Sequence, residues 1–178
     1  MAISSTIFKC ELHISDMDRN YYADHALTIA RHPSENDERM MVRIVAFALL
    51  AQEGLGFGRG VSSTDEPDLW AHTDSGEIDL WVDLGQVQDK RIRQSCGKSR
   101  HVHLITYQDN AARQWWQKAQ AVCAKLSNLR VTHLPDNPGK PLAALVDRNM
   151  TLNISIQDGT IWVGDDQTMI ELKQESWL

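Results

Sequence analysis

Acidic residues recur at alternate positions in one stretch of the chain, residues 76–86, which reads Gly-Glu-Ile-Asp-Leu-Trp-Val-Asp-Leu-Gly-Gln. Read with the two-residue period of a β-strand, this stretch has one apolar face and one acidic face. The apolar face contains Ile78, Leu80, Val82 and Leu84, and the acidic face contains Glu77, Asp79, Trp81 and Asp83. Because neighbouring carboxylates repel one another, the acidic face favours a bound cation.

A further carboxylate lies upstream, at Pro67-Asp68, where a short strand is predicted to begin. Downstream, residues 90–100 contain five basic residues and no acid. Two strands that bring carboxylates to one place, followed by a basic helix, suit a divalent-metal site that acts on phosphates. The alternative interpretation is the solvated outer face of an antiparallel hairpin, followed by a solvated helix face.

The length of 178 residues suffices for one full hydrophobic core and is short for two, so a single domain over residues 1–178 is predicted. Hydrophobic residues make up 42% of the chain and charged residues 24%, both typical of a soluble globular protein. The formal net charge of −6 argues against a protein that coats nucleic acid non-specifically. Local fields act over about 8 Å, so a basic helix beside an acidic strand can still hold a polyanion.

The apolar runs are too short to span a membrane, and the longest of them covers residues 44–51, so no membrane association is expected. The first residues lack the basic segment and apolar core of a secretory signal, which favours a cytoplasmic location. The three cysteines are scattered and form no Cys-x-x-Cys pair. A disulfide framework or a structural zinc site is therefore not expected.

Hydrophobic periodicity and turn residues divide the chain into strands and helices. The predicted elements are, in chain order, strands at 7–15 and 21–31, a helix begun by Ser34 and ended by Gly54, strands at 67–71 and 76–85, a helix at 89–99 capped by Asp89, a strand at 101–107, a helix from Asp109 or Asn110 to Leu126, a strand at 129–134, a loop at 135–141, a hairpin at 152–164 and a strand at 169–173. The strand that carries Asp83 reaches the strand at 101–107 through a helix, an order that implies parallel pairing. Short turns between the preceding strands imply antiparallel pairing. The predicted fold class is therefore α/β (α+β), with a mixed β-sheet and flanking helices.

This order of elements, with Pro67-Asp68 on one strand and Asp83 on the next, resembles the PD-(D/E)xK nuclease-like core of restriction endonucleases and related phosphodiesterases. Over its whole length the chain is similar to the YaeQ family of bacterial proteins, and residues 67–70, 77–86 and 89–93 carry that similarity. The resemblance implies a restriction-endonuclease-like core with an added N-terminal β-hairpin and added C-terminal strands.

The same resemblance implies roles for individual side chains. Asp68 and Asp83 correspond to the two motif acids that bind Mg²⁺, for which Mn²⁺ can substitute, and Glu38 on the first helix corresponds to an additional acid. Hard oxygen donors of this kind suit Mg²⁺, which would orient a water molecule for attack on a phosphate.

The motif lysine, two residues after the second acid, is replaced in this chain by Gly85. Gln86, Lys90 and Arg91 are the candidates for its role. Gln86 can orient a water molecule but brings no charge, and Lys90 brings charge from the helix. Loss of one preorganised cation at a developing charge costs on the order of 10²–10³ in rate, so the replacement bears directly on activity.

Three hypotheses follow from these residues. The first is an Mg²⁺-dependent phosphodiesterase or nuclease-like enzyme that acts on nucleic acid with Asp68, Asp83 and either Gln86 or Lys90. The second is a catalytically inactive nuclease-fold module that binds nucleic acid or a protein partner through the basic 90–100 helix. In that case the contacts with nucleic acid are made by Arg91, Arg93 and Lys98. The third is that the acids are structural and pair with Arg or Lys across the sheet. The sequence leaves the oligomeric state open.

Overall fold

A computed structural model describes residues 4–178 of the chain, which form two mixed β-sheets and four α-helices. The elements are β1 (Thr6–Asp16), β2 (Tyr21–Arg31), α1 (Asp37–Leu50), β3 (Gly56–Phe57), a 3₁₀ turn (Gly60–Ser62), β4 (Leu69–His72), β5 (Ile78–Leu84), α2 (Asp89–Lys98), β6 (Ser99–Thr106), α3 (Asp109–Cys123), β7 (Leu129–His133), α4 (Gly139–Ala143), β8 (Asn149–Gln157), β9 (Thr160–Gly164), β10 (Met169–Leu172) and β11 (Glu175–Ser176). The mixed α+β class predicted from the sequence is confirmed.

The chain divides into two compact units, each with its own sheet. The first unit contains residues 4–50 and 138–174, and the second contains residues 51–137 and 175–178. The single domain predicted over residues 1–178 stays a prediction. None of the helices in the described part of the chain is long and apolar enough to cross a membrane.

The first unit contains a five-stranded sheet in the order β10-β9-β8-β1-β2. The predicted hairpin of β1 and β2 is confirmed, with Thr6 opposite Arg31 at its open end. Strand β8 returns from far along the chain and pairs with β1 in parallel. Alternate residues of β1 point into the core, as their apolar character predicts, and Leu12 is fully buried.

The predicted first helix is confirmed as α1, but its cap differs from the prediction. The side-chain oxygen of Asn36, rather than that of Ser34, accepts a hydrogen bond from the amide of Arg39 at 2.9 Å. The hydroxyl of Ser34 instead lies 2.6 Å from Nδ1 of His32, so its hydrogen bond is made outside the helix. A second local prediction, the loop at 135–141, is wrong in part because α4 begins at Gly139. Leu142 of this short helix is fully buried and anchors it to the core of the first unit.

The second unit contains a six-stranded sheet in the order β11-β7-β6-β5-β4-β3. Strand β5 pairs antiparallel with β4 and parallel with β6, as the helical crossover through α2 predicts. One hydrophobic cluster joins β5, β6, α2 and α3, and its buried members include Trp81, Ile92, Leu104 and Cys123. The alternative of a solvated outer face is therefore wrong for Trp81 and Asp83, which are both buried on the face of β5 that packs against α2 and α3.

The predicted caps of α2 and α3 are also corrected. The residues at the cap positions are Gln88 and Gln108, and neither side chain makes a capping hydrogen bond. Asp89 and Asp109 lie in the first turns instead, where a carboxylate is stabilised by the positive end of the helix dipole.

His103 on β6 makes the stability of the second unit depend on pH. Burial, with a smaller contribution from the charge of Arg130, lowers the pKa of His103 from 6.5 to about 4. Between these pH values the unfolded chain binds a proton that the folded chain does not bind, so the free energy of unfolding falls as the pH is lowered from 6.5 to 4. We expect His103→Gln to flatten this part of the pH profile in urea unfolding. The exposed His101 offers His101→Gln as the matched control, and a His103→Gln profile as steep as that of the wild type would contradict the assignment.

Candidate metal and nucleic-acid site

The antiparallel pairing of β4 and β5 brings the two motif acids to neighbouring positions. Leu69 lies opposite Val82, and Asp68 immediately precedes Leu69 in the chain. The amide of Asp68 donates to the carbonyl of Val82 at 3.0 Å, and Oδ2 of Asp68 accepts a hydrogen bond from the amide of Leu84 at 2.9 Å. Asp68 therefore bonds to the residues on either side of Asp83. Both carboxylic acids are buried, with 2% of Asp68 and 3% of Asp83 exposed.

The carboxylate of Asp83 is held by the guanidinium group of Arg91 on α2. Oδ2 of Asp83 accepts from Nε of Arg91 at 2.8 Å, and Oδ1 accepts from Nη2 at 2.9 Å. Oδ2 also accepts from Nε1 of Trp81 at 2.9 Å. Such a two-pronged pair matches the planar fork of arginine to both carboxylate oxygens, which makes it strong and directional. The negative charge of Asp83 is thus balanced within the protein.

Arg91 also holds the segment that precedes β4. Its Nη1 donates to the carbonyl of Thr64 at 2.7 Å, and its Nη2 donates to the carbonyl of Glu66 at 3.0 Å. The guanidinium carbon lies 5.4 Å from the centre of the Trp81 ring, a distance at which a cation is attracted to an aromatic face. Four groups, two on β5 and two in the segment before β4, therefore converge on one side chain. The predicted contact of Arg91 with nucleic acid stays a prediction.

The 3₁₀ turn packs directly against Asp68. Gly60 in this turn has a φ of +51°, and a Cβ atom built on it would lie 2.6 Å from Oδ1 of Asp68. A larger residue would be strained in this backbone conformation and would also collide with the carboxylate. The turn therefore covers one oxygen of Asp68, while the Leu84 amide binds the other.

The donor set fits a divalent metal ion poorly in this arrangement. Mg²⁺ requires near-octahedral oxygen ligands, and both oxygens of Asp83 already accept hydrogen bonds from a cation. In the described part of the chain, no group of three or more His, Cys, Asp and Glu side chains is placed to hold a metal ion. Glu38 lies on α1 of the first unit, where a Cβ on Gly139 would come within 3.2 Å of its Oε2.

The three candidates for the role of the motif lysine lie beyond Gly85, and one of them, Arg91, is bound to Asp83. Nε2 of Gln86 is buried and has no hydrogen-bond partner among residues 4–178, so this amide has an unused donor. Lys90 is exposed in the first turn of α2. Gln86 thus has an unused donor that is closed off from solvent, and Lys90 can supply only a solvent-exposed charge.

The remaining basic residues of α2 point outwards. Lys90, Arg93 and Lys98 are all exposed, and none of them forms an ion pair with another described residue. We call these three side chains the basic face. Arg100, just past the helix, is paired at 2.5 Å with Glu77. The free positive charge of this region is therefore concentrated on α2.

A buried polar cluster at the ends of β6 and β7 is not predicted by the sequence. Nδ1 of His133 lies 2.7 Å from Oγ1 of Thr106, and Nε2 lies 2.8 Å from Oδ1 of Asp109. The indole of Trp177 stacks on the imidazole with 4.4 Å between ring centres. This order of hydroxyl, imidazole and carboxylate matches that of a nucleophilic triad, but Thr106 is fully buried and out of reach of a substrate. The cluster therefore joins β6, β7, α3 and Trp177, which follows β11, and no sequence motif connects these distant residues.

Comparisons with a family model, with relatives and with solved structures all point to one protein family. Residues 1–174 match the family model described as YaeQ protein. The chain is 43% identical over 177 residues to the YaeQ protein of Escherichia coli (strain K12), and 44% identical over 177 residues to that of Salmonella typhi. In both cases the match covers 99% of this chain and 98% of the relative.

Two crystal structures have the same fold. The YaeQ protein from Xanthomonas axonopodis pv. citri superposes with a TM-score of 0.94 at 45% identity, covering 98% of both chains. The YaeQ protein from Pseudomonas syringae superposes with a TM-score of 0.92 at 33% identity, covering 98% of this chain and 96% of that one.

Replacing Asp83 tests whether its carboxylate is structural. In Asp83→Asn the guanidinium of Arg91 loses its counter-charge, so we expect the free energy of unfolding to fall by about 3 kcal/mol in urea. Because the two side chains form one pair, adding Arg91→Ala should cost less in this variant than in the wild type. Asp79→Asn is the matched control on the same strand. An Asp83→Asn variant within about 0.5 kcal/mol of the wild type would contradict a structural role.

Proposed function

This chain belongs to the YaeQ family, and we propose that it binds nucleic acid through the basic face of α2, with Asp68 and Asp83 stabilising the fold. The proposal includes a restriction-endonuclease-like core in the second unit, in which β5, α2 and β6 form the central crossover. The observation that carries the binding role is the exposure of Lys90, Arg93 and Lys98 on α2. The structural role of Asp83 rests on its two-pronged ion pair with Arg91. That pair gives the second motif acid a protein cation in place of a metal ion.

Electrostatics favours a structural role for Asp83 and a binding role for the basic face. A divalent ion at Asp83 would lie beside the guanidinium of Arg91, and the repulsion between the two cations would weaken its binding. The exposed cations of the basic face, in contrast, have no protein counter-charge. A phosphate backbone is the complementary ligand, since binding it releases condensed counterions.

The number of exposed cations sets the expected salt dependence. If Lys90, Arg93 and Lys98 each neutralise one phosphate, the logarithm of the binding constant falls against the logarithm of salt with a slope of about −2 to −3. A contact set this small gives weak binding, and the net charge of −6 restricts binding to the one face where positive charge is concentrated.

The first test measures fluorescence anisotropy of labelled duplex DNA, single-stranded DNA and RNA over a range of salt concentrations. We expect binding at low salt and its loss in the triple variant Lys90→Gln/Arg93→Gln/Lys98→Gln, because all three exposed charges are removed. Asp68→Asn and Asp83→Asn should keep the binding wherever they remain folded.

The matched control removes three exposed lysines elsewhere, in Lys118→Gln/Lys125→Gln/Lys140→Gln. This variant has the same net charge as the triple variant of the basic face and should bind as the wild type does. Equal loss of binding in both variants would show that binding depends on the net charge of the protein and not on the basic face. Absence of binding to all three probes at low salt would contradict the proposal and leave a protein partner for the basic face.

A second candidate function is an Mg²⁺-dependent phosphodiesterase, with Mn²⁺ as a substitute. It is favoured by the adjacency of Asp68 to Asp83 across the β4–β5 pair and by the unused amide donor of Gln86. Asp68 and Asp83 would hold the ion, which when bound would polarise a phosphate and activate a water molecule. The Gln86 amide would then donate to a phosphate oxygen. This function requires Arg91 to release Asp83.

Calorimetric titration with Mg²⁺ and Mn²⁺ separates the two functions. We expect no heat of binding with the wild-type protein, because Arg91 occupies Asp83. Arg91→Gln removes the competing cation, and folded protein of this variant is titrated in parallel. Uptake of Mn²⁺ by the wild type, abolished in Asp83→Asn, would establish the phosphodiesterase site and contradict our account of Asp83.

A further inference from the structure

The two sheets formed by residues 4–178 have four edge strands, and three of these are short. Strands β3 and β11 contain two residues each, and β10 contains four. The fourth edge, β2, contains eleven residues and pairs with β1 over its whole length without a bulge. A long and regular edge strand offers a row of unpaired amides and carbonyls to another strand. Natural proteins normally protect their edge strands against such pairing.

Main-chain hydrogen bonds show which residues of β2 direct their amides and carbonyls away from the sheet. The amide of Lys9 donates to the carbonyl of Arg148, so the odd-numbered residues of β1 face β8. The even-numbered residues of β1 therefore face β2, and each lies opposite an odd-numbered residue of β2. The even-numbered residues of β2 consequently direct their amides and carbonyls away from the sheet. In agreement, the carbonyl of Ala30 accepts a hydrogen bond from Arg43 at 3.0 Å.

Apart from Arg43 at the carbonyl of Ala30 and the charge of Asp24, strand β2 lacks the usual protection of an edge. Its sequence, Tyr-Tyr-Ala-Asp-His-Ala-Leu-Thr-Ile-Ala-Arg, contains no proline, glycine or lysine. Three residues at its centre have main-chain groups that point away from the sheet, namely Asp24, Ala26 and Thr28. Their side chains are exposed, and that of Ala26 is small. Tyr22, next along the same face, is 60% exposed. A second strand can therefore approach the centre of β2, residues 24–28, where alternate residues are exposed.

We propose that β2 pairs antiparallel with β2 of a second copy of the chain, with Ala26 on the two-fold axis. The two five-stranded sheets then become one continuous ten-stranded sheet. In this register Asp24 lies opposite Thr28 of the second copy, and Ala26 lies opposite its own counterpart. These central pairs supply roughly six main-chain hydrogen bonds across the axis.

The side chains of β2 favour its own copy as the occupant. Antiparallel pairing about Ala26 places His25 opposite Leu27 and Ala23 opposite Ile29 of the second copy, which extends the half-buried row of the strand. Tyr21 lies opposite Arg31 at each end. No like charges face each other in this register, as a two-fold interface between identical surfaces requires.

Light scattering coupled to gel filtration tests this interface over a range of protein concentrations. The wild type is expected at twice the monomer mass of 20.2 kDa. Ala26→Lys and Ala26→Asp each place like charges opposite one another on the axis, so each variant alone should be a monomer. An equimolar mixture of the two variants opposes lysine with aspartate and should restore the dimer. That rescue excludes a simple loss of folding.

Thr151→Lys is the matched control. Thr151 is exposed on β8, an interior strand of the same sheet, so this variant should remain a dimer. Two outcomes would overturn the proposal. One is a wild-type protein that is monomeric at every concentration, and the other is a dimer that persists in both Ala26→Lys and Ala26→Asp.

Discussion

The geometry of the second unit depends on one ion pair, between Asp83 at the end of β5 and Arg91 on α2. Two buried or half-buried charges are costly to remove from water, and the cost is offset only if every polar atom finds a partner. Here the carboxylate accepts three hydrogen bonds, and the guanidinium also binds the carbonyls of Thr64 and Glu66. A strand, a helix and a connecting segment are thereby fixed around a single pair.

This pair also explains why the basic residues of α2 lie in two different environments. Helical periodicity turns Arg91 towards the sheet, while Lys90 and Arg93 on either side of it face solvent. The sequence could indicate that a cation belongs among the acids of β5, because three carboxylates on one face require one. It could not identify that cation as an arginine of the following helix, because its direction depends on how α2 packs against β5.

The fold could be predicted wherever local periodicity and turns decide the structure. The β1–β2 hairpin, the α2 crossover and the hairpin at 152–164 all follow from short-range patterns. The parallel pairing of β1 with β8 could not be predicted, since its strands are separated by more than a hundred residues and no local pattern records the partner. Helix α4 was missed for a related reason: its five residues are too few to show a helical period and are held by the burial of Leu142.

That distant pairing has a consequence for how the protein matures during synthesis. Lys9 is paired with Asn149, so the sheet of the first unit remains incomplete until most of the chain has left the ribosome. The second unit, in turn, receives β11 only after residues 138–174 of the first unit have been synthesised. Closing such long loops makes folding slow, because the entropy of loop closure is lost before the distant contacts form.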